Sequence, residues 1–169
     1  MDVYAAIAAR RSVRGYKGDP IPEDKLKRVL EAARLAPSAR NRQEWRFVVV
    51  SDLGLRQKLV DACNGQDYVL KAPVALVMCS TENKDVMRCG QKTGTVDVSI
   101  AMSYVTLAAT AEGLGTCWLG SFIEDKVKAV LGIPAEAMVV AVSPLGVPAE
   151  SPAARSRKAA SEVVSFDKW

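Results

Sequence analysis

Apolar positions recur along this chain with two periods. Helical spacing links Val3, Tyr4, Ile7 and Ala8 on one face, behind Asp2 as a plausible N-cap, and predicts a short helix over residues 2–9. The same period joins Leu26, Val29, Leu30 and Ala33. That helix opens at Pro22, Glu23 and Asp24, runs to about Ala36 and stops at Pro37. Leu55, Leu59, Val60 and Cys63 mark another helix, capped by Ser51 or Asp52 and ended near Gly65. Residues 123–131 form a fourth, followed by Gly132 and Pro134. Strands are predicted at 45–50, at 74–79 and from 138 toward 145. The 74–79 run is nearly all apolar, which implies burial on both faces.

Residues 95–113 are apolar almost all round and read as a long central helix, with Asp97, Ser, Thr and Glu112 interrupting any membrane span. Ser99, Ser103, Thr106 and Thr110 make one narrow stripe on it, open to two readings: hydroxyls satisfied by the helix itself, or a subunit or ligand contact. The tail 163–169 is apolar and expected to be extended, so it needs somewhere to dock.

Composition narrows the chemistry. The 169 residues are 49% apolar, enough for one domain with a real core, here residues 1–169. The absence of histidine removes Ser-His-Asp and Cys-His machinery and any His-based metal site. Cys63, Cys79, Cys89 and Cys117 contain no C-x-x-C pair, so reduced thiols in the cytoplasm and no metal are expected, with Cys63, Cys79 and Cys117, in apolar company, as small core residues. The N-terminus lacks a basic segment followed by a long apolar core, so no signal peptide is expected. A net charge of +4 with no basic stripe interleaved with aromatics suits an anionic small molecule and argues against nucleic acid. Gln91-Lys92-Thr93-Gly94-Thr95 fails the phosphate-loop spacing, because Gln91 stands where a second Gly belongs.

The densest chemistry lies at Arg10-Arg11-Ser12-Val13-Arg14-Gly15-Tyr16. Three guanidinium groups around one hydroxyl can complement the end of the first helix, or clamp a phosphate with forked, permanently charged donors. Three further segments offer parts for a site. Pro37-Ser38-Ala39-Arg40-Asn41-Arg42-Gln43 is a polar loop, Gly120-Ser121 is a small-residue turn, and Arg155, Arg157 and Lys158 lie in a basic loop.

Together these pieces resemble the nitroreductase family of FMN-dependent flavoenzymes. The resemblance rests on five separated motifs in order: Arg-Arg-Ser-Val-Arg-Gly-Tyr, Pro-Ser-Ala-Arg-Asn-Arg-Gln, Asp97-Val98-Ser99-Ile100-Ala101, Gly113-Leu114-Gly115-Thr116-Cys117-Trp118, and Arg157-Lys158. It implies an α+β three-layer sandwich around a mostly antiparallel sheet, in an intertwined homodimer that exchanges C-terminal tails. By the same resemblance Arg10, Arg11, Ser12 and Arg14 would hold the FMN phosphate and ribityl chain and reach the pyrimidine edge. Pro37, Ser38, Ala39, Asn41 and Gln43 would come from the partner subunit. Leu119, Gly120 and Ser121 would lie near flavin N5, and Arg157 or Lys158 would return to the phosphate. Gln43-Glu44-Trp45 departs from the family's more usual Gln-Pro-Trp.

The activity implied is ping-pong hydride transfer from NADH or NADPH through FMN to a nitroaromatic or quinone. No side-chain general acid is needed, so no catalytic residue is assigned, and no membrane or nucleic-acid partner is expected. Two other readings stay open: a flavin-binding, storage or regulatory protein without nicotinamide turnover, and a reductive dehalogenase or flavin-modifying relative.

Overall fold

The computed structural model describes residues 1–169. Its centre is a four-stranded sheet in the order β1-β2-β4-β3, with every pair antiparallel. The strands are β1 (Trp45–Val50), β2 (Val74–Ser80), β3 (Gly115–Thr116) and β4 (Met138–Gly146). The helices are α1 (Val3–Ala9), α2 (Glu23–Arg34), α3 (Leu53–Ala62), α4 (Tyr68–Lys71), α5 (Thr93–Ala111), α6 (Glu124–Leu131) and α7 (Ala160–Val163). This is the expected α+β sandwich.

Two cores lie on opposite faces of the sheet. Val74, Leu76 and Met78 of β2 pack with α2 and α5, while Ala75, Val77 and Cys79 pack with α3, α4 and α6. Strand alternation divides one apolar run between both layers, and all of β2 is buried. In β4, Ala141 belongs to the first core and Val139 to the second, although regular alternation would put them together. A register shift opposite Met78 and Cys79 skips Val140 and re-phases the strand.

α5 buries Val98, Ala101, Met102, Val105 and Ala109 against α2 and the sheet. Its hydroxyl stripe follows the first of the two readings. Ser103 Oγ donates to the Ser99 carbonyl at 3.0 Å, Thr106 Oγ1 to Ser103 at 2.8 Å, and Thr110 Oγ1 to Thr106 at 2.8 Å. No helix is long and apolar enough to cross a membrane.

Three elements depart from expectation. α1 forms with Asp2 as its cap, accepting from the Ala5 amide at 2.9 Å, but the face turned inward is that of Ala6. Val3, Tyr4 and Ile7 lie exposed instead, because nothing within the chain covers them. The tail is not wholly extended: Ala160–Val163 makes one helical turn, and Val164, Phe166 and Trp169 beyond it are bare. α4 has no forecast in the apolar pattern, being only one turn long.

Leu76 is fully buried in the strand that both cores share. Leu76→Ala is expected to cost about 2–5 kcal/mol, through lost transfer energy and the cavity left behind. Denaturant unfolding reads this as a lower midpoint at unchanged slope, and an unchanged midpoint contradicts the shared-core description.

Candidate functional site

The arginine stretch leaves α1 at Arg10, whose φ of −54° and ψ of 129° end the helix. It then runs extended along the sheet edge. Ser12 bridges Thr116 in parallel, and the Val13 amide donates to the Thr116 carbonyl at 2.9 Å. On the other side the Ala149 amide donates to Gly15 and the Lys17 amide to Val147, both at 2.9 Å. Val13 and Tyr16 are buried, and the Tyr16 hydroxyl donates to the Val13 carbonyl at 2.5 Å. Burial drives the Tyr16 phenol far above its ordinary pKa, so it stays a donor. With those two side chains turned in, the cations are left on the outer side.

There they line a cavity of about 490 Å³. Arg10, Arg11, Ser12 and Arg14 form one wall, and Arg155 and Arg157 come from the C-terminal segment. No carboxylate lines it. Arg11 also serves the helix end, since its Nη1 donates to Ala8 O at 2.7 Å and Arg10 O at 2.9 Å. The helix-end reading is therefore realised at Arg11, and the same cluster lines the cavity. The Arg14 guanidinium stands 5.8 Å from the centre of the Tyr68 ring, a cation–π contact. Of the two basic residues left open, Arg157 lines this cavity and Lys158 does not.

The polar loop lies elsewhere. Ala39–Asn41 forms a 3-10 turn, and Arg40, Asn41 and Gln43 take positive φ values of 55°, 55° and 56°. Such φ values are uncommon outside glycine and need local support. Asp97, buried in the first turns of α5, supplies it: both carboxylate oxygens accept from the Ala39 amide at 3.1 Å. Ser38 Oγ accepts from the Gln43 amide at 3.0 Å. Arg42 pairs with Asp85, whose carboxyl the Thr93 hydroxyl and then Arg42 hold below its usual range.

Pro37, Ser38, Ala39, Asn41 and Gln43 do not reach the arginine cavity within one chain. The loop is tied to α5 near its start, whereas Arg11 and Val13 share a cleft with Thr110 and Gly113 at its end. From Asp97 to Thr110 the helix rises roughly 20 Å.

Leu119, Gly120 and Ser121 follow β3. Leu119 is buried and exchanges backbone bonds with Val142 at 2.9 and 3.1 Å. Gly120 is exposed, and a Cβ there would meet nothing within 4 Å, so its backbone is open to close approach. Ser121 Oγ accepts from Asn64 Nδ2 at 3.2 Å. Cys117, between this turn and Ser12, is a buried thiol that burial pushes up, with Arg14 and Ser12 pulling the other way. Arg155 lines the cavity and Tyr68 lies against Arg14, and the sequence reading assigned neither. The basic loop signalled Arg155, whereas nothing local signalled Tyr68.

Sheet, flanking helices and cavity define an α+β sandwich protein with an arginine-lined cavity at the edge of an antiparallel sheet. The sequence pattern described as "Nitroreductase family" matches residues 7–66 and 61–147. The chain is 34% identical to the NADH dehydrogenase of Thermus thermophilus, over 89% of this chain and 88% of that one. It is 30% identical to the NADPH-flavin oxidoreductase of Vibrio harveyi, over 96% of this chain and 72% of that one. A nitroreductase family protein of Clostridium novyi NT, solved by crystallography, superposes with a TM-score of 0.85 at 34% identity, covering 90% of this chain and 88% of its own. The chain belongs to the nitroreductase family.

Asp97→Ala strips the Ala39 amide of its acceptors, a local loss of roughly 1–2 kcal/mol. Hydrogen exchange at Ala39 and through residues 40–43 is expected to quicken several-fold while β2 stays protected. Unchanged exchange in the loop would show that Asp97 does not hold it.

Proposed function

We propose that this chain is an FMN-dependent NAD(P)H oxidoreductase of the nitroreductase or quinone-reductase type. Residues 1–169 act as one FMN-binding domain, and two copies complete each site. The observation that carries this reading is the arginine cavity itself, a cradle of cations without a carboxylate on a nitroreductase scaffold. Its donor set fits a phosphate monoester: forked guanidinium groups, one hydroxyl and an exposed extended backbone. The flavin named for the Vibrio harveyi relative supports the choice of cofactor.

FMN held in this cavity would supply the hydride chemistry that links a nicotinamide to an acceptor. The protein's part is to bind and orient. Arg10, Arg11, Ser12 and Arg14 hold the phosphate and ribityl end, and Arg157 closes on the phosphate from the other wall. Arg14, permanently charged on the cavity wall, would stabilise negative charge on a flavin held there. Leu119, Gly120 and Ser121 offer backbone beside the flavin. A partner's loop corresponding to Pro37, Ser38, Ala39, Asn41 and Gln43 covers the remaining side. With no histidine in the chain and no acid lining the cavity, protons for a reduced nitroaromatic or quinone come from water.

Two exposed apolar features support the homodimer. Val3, Tyr4 and Ile7 present an uncovered face on α1, and Val163, Val164, Phe166 and Trp169 present an uncovered tail. Each offers what the other lacks, and tail exchange between subunits buries both.

The purified protein is expected to be yellow, to bleach anaerobically with NADH or NADPH, and to regain colour with a quinone. A preparation that takes up no FMN on dialysis overturns the cofactor. One reduced by dithionite but by neither nicotinamide overturns the donor. Truncation after Glu162 is expected to shift sedimentation from dimer to monomer and to release FMN together. A truncated monomer that keeps its flavin would sink the shared site.

A further inference from the structure

We propose that Glu150 is a positioning residue that shapes the arginine cavity for its phosphate, by bonding the backbone of the arginine stretch and leaving the guanidinium groups unpaired. The inference rests on the FMN-phosphate reading of the same cavity. Glu150 Oε1 accepts from the Arg14 amide at 2.6 Å. The carboxylate also lies against Gly15: a Cβ there would stand 3.2 Å from Oε2 and Cδ and 3.3 Å from Cγ. A residue larger than glycine at 15 requires the Glu150 side chain to give by a few tenths of an ångström. The backbone ladder from Lys17–Val147 to Gly15–Ala149 ends at Glu150. Beyond it the chain turns into the segment that carries Arg155 and Arg157 on the opposite wall. Glu150 thus stands where the two walls join.

A carboxylate this close to the arginine stretch would ordinarily pair with a guanidinium group. Glu150 forms no ion pair, and neither do Arg10, Arg11, Arg14, Arg155 or Arg157. The Arg14 and Gly15 amides hold the Glu150 carboxyl below its usual range, so it is an anion at neutral pH. Its charge and its bonds act on a bound phosphate with opposite signs. The negative charge repels the ligand through solvent, whereas the amide bonds fix the stretch that presents Arg14 and Ser12. Removing the charge alone and removing the acceptor altogether therefore give different results.

The full-length protein, stripped of flavin, is titrated with FMN and with riboflavin by quenching of flavin fluorescence. The wild type is expected to prefer FMN. Glu150→Ala is expected to lose about tenfold in FMN affinity, the scale of one charge-assisted bond, with riboflavin affinity unchanged. Glu150→Gln keeps an amide acceptor without the charge and is expected to bind FMN at least as tightly as the wild type. Gly15→Ala, which crowds the carboxylate from the other side, is expected to lose FMN selectively as well and serves where Glu150→Ala does not fold. Wild-type FMN affinity in Glu150→Ala overturns the proposal. So do equal losses for FMN and riboflavin, or a Glu150→Gln variant as weak as Glu150→Ala. A wild type that binds riboflavin as tightly as FMN overturns the phosphate reading itself, and the role of Glu150 with it.

Discussion

At the edge of the sheet, β3 and the arginine stretch touch without a side chain between them. A Cβ on Gly115 would lie 2.9 Å from Cβ of Val13, closer than real contacts allow. The glycine lets the stretch come near enough for the Val13 amide to reach the Thr116 carbonyl. That bond sets which residues of the stretch face inward. Val13 and Tyr16 go to the core, and Arg10, Arg11, Ser12 and Arg14 to the cavity. A second close approach supports the first, because a Cβ on Gly146 would stand 2.5 Å from Cδ of Pro73 and would also crowd Tyr16. Two glycines on neighbouring strands thus allow the sheet edge to present a row of cations.

Holding those cations near one another costs electrostatic energy, and the fold limits the cost by keeping them in water. Arg14, Arg155 and Arg157 are exposed and Arg10 and Arg11 only half-buried. High local dielectric screens their mutual repulsion, and the proposed phosphate would relieve what remains. The one buried cation, Arg56, has a different task. Its Nη1 donates to Leu70 O at 2.7 Å and Ala72 O at 2.5 Å, capping the end of α4, while its Nε finds no partner. Capping α4 steadies the turn that carries Tyr68 under Arg14. A buried guanidinium is an expensive cap, and its position explains how so short a helix persists.

α5 organises the molecule on a larger scale. Its start anchors the polar loop through Asp97, and its end adjoins the arginine stretch. A rigid helix keeps the polar loop and the arginine cavity apart within one chain. The bare faces of α1 and the tail lie outside both cores. The proposed homodimer would answer both, bringing a second loop to the cavity and covering the apolar surface.

The apolar periods by themselves determined β1, β2 and β4, the helices α2, α3, α5 and α6, and the burial of β2 on both faces. In each, the pattern and the burial are one quantity, since a residue's period decides its side. The candidate site was legible only as a set of parts, because arginines beside a hydroxyl serve a helix end as well as they serve an anion. Tertiary structure alone decided what those parts do together. It turned Ala6 inward in place of Val3, Tyr4 and Ile7, because inwardness depends on what lies across from a face. It put Arg157 and not Lys158 on the cavity wall and set Tyr68 of α4 against Arg14, because such contacts join residues far apart in the chain. It also re-phased β4 at Val140, where a bulge overrides the period that a strand's sequence can express.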